Sequence, residues 1–130
     1  MQQLTDLVQY SNQGLFILRL AVGAVFIIHG WPKIKNFKAA GLAMGLPATF
    51  VLIIGLVEVL SAMGLILGIY NQIAALLIGL VMLGAIKMKL INWKTGFVAK
   101  AGMGWEYDLV LLAAAIVILL TGGGNIGLIK

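Results

Sequence analysis

Four long apolar segments, separated by short polar or basic stretches, constrain this chain more than any other feature. They cover residues 15–31, 48–70, 72–91 and 106–121. A helix needs about 20 residues to cross the hydrocarbon core of a bilayer, with a range of about 17–25. The segments are continuously apolar and do not alternate with a period of two, which favours helices over a β-barrel. We therefore predict an all-α fold, an integral membrane four-helix bundle that forms a single domain over residues 1–130.

The composition supports this class and excludes several kinds of site. The chain is 62% hydrophobic and 10% charged, whereas globular domains are about 45–50% apolar and about 25% charged. It contains no cysteine, which excludes disulfides, thiol catalysis, Cys-ligated zinc and iron–sulfur clusters within this chain. With a single histidine, a bis-His haem site is also excluded. We expect no metal, so electron transfer would need a diffusible carrier or a cofactor on another subunit.

The basic residues predict the orientation of the helices. The net charge is +5, and the lysines flank the apolar segments. This distribution is typical of cytoplasmic loops in membrane proteins and argues for a lipid bilayer as partner, with no nucleic acid. We predict a bacterial inner membrane protein with loops 32–47 and 92–105 in the cytoplasm and both termini outside. Three tryptophans fall on the lysine side, as expected for an interfacial belt: Trp31, Trp93 and Trp105.

Two charged residues interrupt the apolar segments at their centres. Glu58 lies in the middle of the second segment, and Arg19 precedes the centre of the first. With a rise of about 1.5 Å per residue, Arg19 lies roughly 6 Å outward of the midplane. Charges at this depth usually face the bundle interior and pair with one another. We predict an intramembrane ion pair between Arg19 and Glu58, either as a purely structural contact or as part of a ligand site.

A second polar layer is predicted on the lysine side of the membrane. By the same rise, His29 and Lys87 lie roughly 8–9 Å inward of the midplane. Lys33, Glu106 and Asp108 belong to the same side, so these groups can converge on a site that opens to the cytoplasm. Three alternatives stay open. The carboxylates can cap the fourth helix, Lys87 can anchor the interface, and His29 can be a polar residue satisfied at the membrane boundary.

Three motifs carry a resemblance to a known family. The stretches "LRLAVGAVFIIHGWPK", "GLVEVLSAMGLILGIYNQIAAL" and "GWEYDLVLLAAAIVILLTGGGNIGL" resemble, in order, the first, second and last helices of the DoxX family. The resemblance implies a small four-helix membrane protein, and the family includes the membrane subunit of a thiosulfate:quinone oxidoreductase. The motif positions carried onto this chain are Arg19, His29, Lys33, Glu58, Glu106 and Tyr107. The family often ends in Gly-Pro-Gly and then Ser-x-Asp, whereas this chain ends in "GGGNIGLIK".

The leading functional hypothesis is a membrane subunit or partner of a redox system with a quinone site in the bundle. Quinone carbonyls need hydrogen-bond donors, and their reduction needs protons. The candidate residues for this site are His29, Lys33, Lys87, Glu106, Tyr107 and Asp108. The chain would not be a self-sufficient enzyme, since a protein partner would supply the oxidative half-reaction. The alternatives are a non-catalytic scaffold of a larger complex and a carrier of a small solute or proton, which would need a homo-oligomer.

Overall fold

The computed structural model describes residues 2–129 and is helical throughout its regular structure. The helices are α1 (Gln2–Thr5), α2 (Ser11–Lys35), α3 (Phe37–Met44), α4 (Ala48–Leu67), α5 (Asn71–Lys87) and α6 (Trp105–Thr121). A 3-10 turn, Asp6–Tyr10, joins α1 to α2, and a π-helical turn, Met88–Asn92, extends α5. Within this described range there is no β-strand, only a single bridge between Ile69 and Ile129. The predicted all-α class is confirmed.

Three helical stretches are long and apolar enough to cross a membrane. They are Gln3–Lys35, Ala48–Leu67 and Asn71–Asn92. The fourth predicted segment forms α6, whose 17 residues fall at the lower end of the range for a spanning helix. It nevertheless shares the core. One buried apolar cluster includes side chains from α2, α4, α5 and α6, among them Phe26, Leu65, Ile78, Leu111 and Ile118.

The first long helix extends further than the sequence predicts, because it continues through Pro32 to Lys35. Proline lacks an N–H and usually ends or kinks a helix. Here the carbonyl of Pro32 accepts a hydrogen bond from the N–H of Asn36 at 2.9 Å, and Lys33 and Lys35 stand in the last turn, where cations interact favourably with the helix dipole. Lys33 therefore belongs to a helix, although we predicted it in the loop 32–47.

The α4–α5 hairpin is closed by a short turn at residues 68–70. Gly68 adopts φ +71°, a left-handed conformation that glycine reaches without strain. The N–H of Ile69 then donates to the carbonyl of Gly64 at 2.8 Å, which satisfies the end of α4. The chain reverses into α5 at Asn71, and α4 and α5 run antiparallel, as the short connection predicts.

Glycines let α2 and α4 approach closely and fix their register. A Cβ atom on Gly30 would lie 3.0 Å from the Cβ of Glu58, and one on Gly55 would lie 2.9 Å from the Cβ of Lys33. Larger residues at these positions would force the two helices apart. Gly23 packs against the same helix further along. This antiparallel register places Lys33 beside Glu58.

Candidate ligand-binding cavity

A cavity of about 730 Å³ lies between the long helices, at the end that carries the lysines. Its walls are mostly apolar and include Phe26, Phe50, Val81 and Leu111. Nine charged or hydrogen-bonding side chains line it: His29, Lys33, Glu58, Lys87, Lys89, Asn92, Trp93, Tyr107 and Asp108. Small-molecule sites typically occupy about 300–1,000 Å³ and combine apolar walls with a few placed polar groups. The cavity therefore has the size and chemistry of a ligand site.

The deepest polar contact in the cavity is an ion pair between α2 and α4. Lys33 Nζ lies 2.6 Å from Glu58 Oε1. Glu58 is 1% exposed, whereas the Lys33 side chain keeps 23% of its surface. Within residues 2–129, the second carboxylate oxygen, Oε2, accepts no hydrogen bond. Glu58 thus holds its lysine with one oxygen and retains the second as a buried acceptor.

The predicted Arg19–Glu58 ion pair is wrong in this structure. Arg19 is fully buried, but its Nη1 donates to the Leu65 carbonyl at 3.1 Å and to Asn71 Oδ1 at 3.2 Å. The prediction assumed that both helices share a midpoint, whereas the register sets Glu58 level with Gly30. Arg19 precedes Gly30 by eleven residues, a separation of about 16 Å along the helix.

Arg19 instead anchors the C-terminal tail, which folds back over the α4–α5 turn. Its Nη2 donates to the carbonyl of Ile126. The tail is also tied by backbone bonds, including Leu128 N–H to the Leu67 carbonyl at 3.2 Å and Tyr70 N–H to the Ile129 carbonyl at 2.9 Å. This cluster lies at the end of the helices opposite the cavity. We assign Arg19 a structural role, separate from the candidate site.

A second ion pair links the end of α5 to the start of α6. Lys89 Nζ lies 2.8 Å from Asp108 Oδ2 and donates to the Gly104 carbonyl at 3.4 Å. Asp108 is 3% exposed. We predicted Asp108 in the site and kept helix capping as its alternative, and α6 begins without a side-chain cap. Lys89 lies in the π-helical turn and is not among the site residues predicted from the sequence.

Two rings complete the polar wall of the cavity. The rings of His29 and Tyr107 are 5.4 Å apart between centroids, at an interplanar angle of 53°. Lys89 Nζ stands 5.9 Å from the centroid of the Tyr107 ring. The structure thus brings together an imidazole, a phenol and an ammonium group, all of which can donate hydrogen bonds. Of the three, the imidazole is the group that ordinarily exchanges protons near neutral pH.

Some of the remaining residues predicted from the sequence line the cavity and others lie outside it. Lys87 lines the cavity, but Glu106 does not. Of the three tryptophans only Trp93 lines it, and its indole N–H donates to the Met44 carbonyl at 3.3 Å. Trp31 is exposed. Trp105 packs edge-to-face on Phe97, with ring centroids 4.6 Å apart.

Comparisons with known proteins agree with the sequence motifs. The family model for DoxX matches residues 14–93, more than half of the chain, including Arg19, His29, Lys33 and Glu58. A protein of Bacillus subtilis (strain 168) with the name "Putative oxidoreductase CatD" is 28% identical over 112 residues, which cover 84% of this chain and 79% of the relative. No solved structure matches the chain. The chain belongs to the DoxX family and is a membrane protein.

Proposed function

We propose that this protein is the integral membrane subunit of a redox system and that it binds a quinone in the cavity between its helices. The observation that carries the proposal is the cavity itself, because a largely apolar volume of about 730 Å³ is also lined by several hydrogen-bond donors. A quinone has the complementary form, with two carbonyl acceptors on a ring and an apolar chain. The oxidoreductase name of the Bacillus subtilis relative supports a redox association.

The paired charges supply donors that are already oriented. Glu58 holds the ammonium group of Lys33, and Asp108 holds that of Lys89. An ammonium group has three N–H donors, so each lysine can keep its carboxylate and still donate to a ligand oxygen. In this proposal His29 and Tyr107 line the ring, with their polar atoms available to the second carbonyl.

Reduction of a quinone to a quinol consumes two electrons and two protons. Both electrons would come from a redox cofactor on a partner subunit, since this chain has no cysteine and one histidine. The residues of this chain would deliver the protons. The rings of His29 and Tyr107 lie 5.4 Å apart, and Glu58 keeps one oxygen free to exchange a proton deep in the cavity.

The same proposal includes the membrane arrangement. Four helices, α2, α4, α5 and α6, would form a bundle in a bacterial inner membrane, with the lysine-bearing end in the cytoplasm and both termini outside. The large apolar side chains that these helices expose, such as Leu60, Leu80 and Leu120, would then face lipid. The positive-inside rule supports this orientation, and cysteine-accessibility labelling of Lys38→Cys and Gln13→Cys variants in intact cells would test it.

Quinone binding is best tested through Trp93, which lines the cavity. A background with Trp31→Phe and Trp105→Phe leaves Trp93 as the single tryptophan, and a quinone bound in the cavity should quench its fluorescence in a saturable way. Gly84→Leu should block the cavity, because Gly84 lines it and a Cβ there meets no atom within 4 Å. Gly14→Leu is the matched control, since Gly14 is also helical with open space around it and lies far from the cavity.

We expect saturable quenching in the single-tryptophan protein and in its Gly14→Leu form, and its loss in the Gly84→Leu form. Quenching that does not saturate, or that persists unchanged in Gly84→Leu, would overturn the proposal. It would favour the alternative of a non-catalytic scaffold within a larger complex.

A further inference from the structure

The charges that line the cavity do not balance. Two of its three lysines are paired, Lys33 with Glu58 at 2.6 Å and Lys89 with Asp108 at 2.8 Å. The third, Lys87, lines the same cavity and has no carboxylate within 4 Å in the part of the chain that the structure describes. With three ammonium groups and two carboxylates, the lining carries one uncompensated positive charge.

Lys87 stands at the mouth of the cavity, not in its depth. The Cβ of Ala74 lies 3.6 Å from a Cβ built on Gly64, so these two residues mark where α4 and α5 meet. Lys87 follows Ala74 by thirteen residues, about 20 Å along the helix. Because the helices are antiparallel, Lys87 lies level with the beginning of α4. Its exposed side chain can reach a ligand that enters from this end.

We propose that the cavity selects a ligand with a singly charged, acidic headgroup on an apolar body, and that Lys87 provides this selectivity. This inference rests on the proposed quinone site. It specifies the class of ligand as a quinone that carries an ionised hydroxyl group on its ring. One negative charge on the ligand would neutralise the lining. In a cavity with apolar walls, a charge of opposite sign at the mouth interacts more strongly than it does in bulk water.

The alternative source of such a charge is the membrane. Lys87 can reach the phosphate of a phospholipid at the interface. In that case the phosphate would compensate the charge of Lys87, and Lys87 would play no part in binding the cavity ligand. The two cases differ in what removal of the charge does. Only a lysine that contacts the cavity ligand changes the preference between a charged and a neutral quinone of the same shape.

The test uses two matched probes in nanodiscs of neutral phosphatidylcholine, with Trp93 as the single tryptophan. The acidic probe is 2-hydroxy-3-decyl-1,4-naphthoquinone, which is ionised at neutral pH, and the neutral probe carries a 2-methyl group in place of the hydroxyl. Affinities are compared for the Lys87→Gln variant and for the control Lys38→Gln, since Lys38 is exposed and does not line the cavity.

We expect the acidic probe to bind about tenfold more tightly than the neutral one, and Lys87→Gln to abolish this preference while the affinity for the neutral probe stays within about twofold. Lys38→Gln should retain the preference. Equal affinities in the unmodified cavity, a preference that survives Lys87→Gln, or a preference that added phosphatidylglycerol removes would overturn this inference. Binding of neither probe would instead contradict the proposed quinone site.

Discussion

Glu58, buried at the middle of α4, lies 2.6 Å from Lys33 in the last turn of α2. The pair joins the two helices where glycines bring them into close contact, since Gly30 packs against Glu58 and Gly55 against Lys33. It also lines the cavity. The same contact therefore stabilises the register that the glycines set between α2 and α4, and it equips the cavity with an oriented ammonium group.

Removal of one member of this pair should be costly. Lys33→Met leaves the Glu58 carboxylate buried without its cation, and we expect the free energy of unfolding to fall by about 3 kcal/mol. The double variant Lys33→Met/Glu58→Gln should recover most of the loss. A double-mutant cycle of unfolding in mild detergent should give a large coupling energy for Lys33 with Glu58 and one near zero for Arg19 with Glu58. The reverse pattern would show that Glu58 pairs with Arg19.

Arg19 should stabilise the C-terminal tail. Arg19→Lys keeps the charge but loses the fork of donors that reaches Leu65, Asn71 and Ile126 together. We expect a loss of about 2 kcal/mol in unfolding free energy and faster hydrogen exchange in residues 123–129. Lys35→Arg, at an exposed position in the same helix, is the control. Unchanged exchange in the tail of Arg19→Lys would contradict the assigned role.

The glycine contacts between α2 and α4 predict an unequal response to alanine. At Gly30 the new methyl group would lie 2.9 Å from Val59 Cγ2 and 3.0 Å from Glu58 Cβ, so the helices must separate at a cost of about 1–3 kcal/mol. Gly14→Ala meets no atom within 4 Å and should be neutral or stabilising by up to about 1 kcal/mol. Thermal unfolding of both variants in the same detergent measures the difference, and equal melting temperatures would show that the helices do not pack closely at Gly30.

The phenol of Tyr107 should contribute to binding through its hydroxyl. Tyr107→Phe keeps the ring that packs against His29 and removes one donor from the cavity, so we expect a loss of about 1 kcal/mol in quinone binding, or about fivefold in affinity. Tyr10→Phe, at an exposed tyrosine outside the cavity, should have no effect. If both variants bind the quinone as the unmodified protein does, the hydroxyl does not contact the ligand.

The helices could be predicted from the sequence because each depends on a local pattern. The apolar runs located α4, α5 and α6 to within a few residues, and Gly68 and Gly122 mark helix ends through their left-handed conformations. The end of α2 was predicted too early, because the apolar segment ends at Trp31 whereas the helix continues through Pro32 to Lys35.

The partners of the buried charges could not be predicted in the same way, because they depend on how one helix is shifted against another. Shared helix midpoints would set Glu58 level with Gly23, whereas the structure sets it level with Gly30. This shift of seven residues makes Lys33, and not Arg19, the neighbour of Glu58. That shift follows from glycines on both helices and is not visible in either helix alone. The tail contact of Arg19 is harder still to foresee, since residues 122–129 carry no periodic pattern and their contacts come from the folded helices.

The central claim, that the cavity holds a quinone, is tested most directly by native mass spectrometry of the protein released from its own membranes. We expect one quinone per chain to remain bound to the unmodified protein and to Gly14→Leu, and to be absent from Gly84→Leu. A spectrum of intact, folded protein without bound quinone, or with the same amount in Gly84→Leu, would contradict the account.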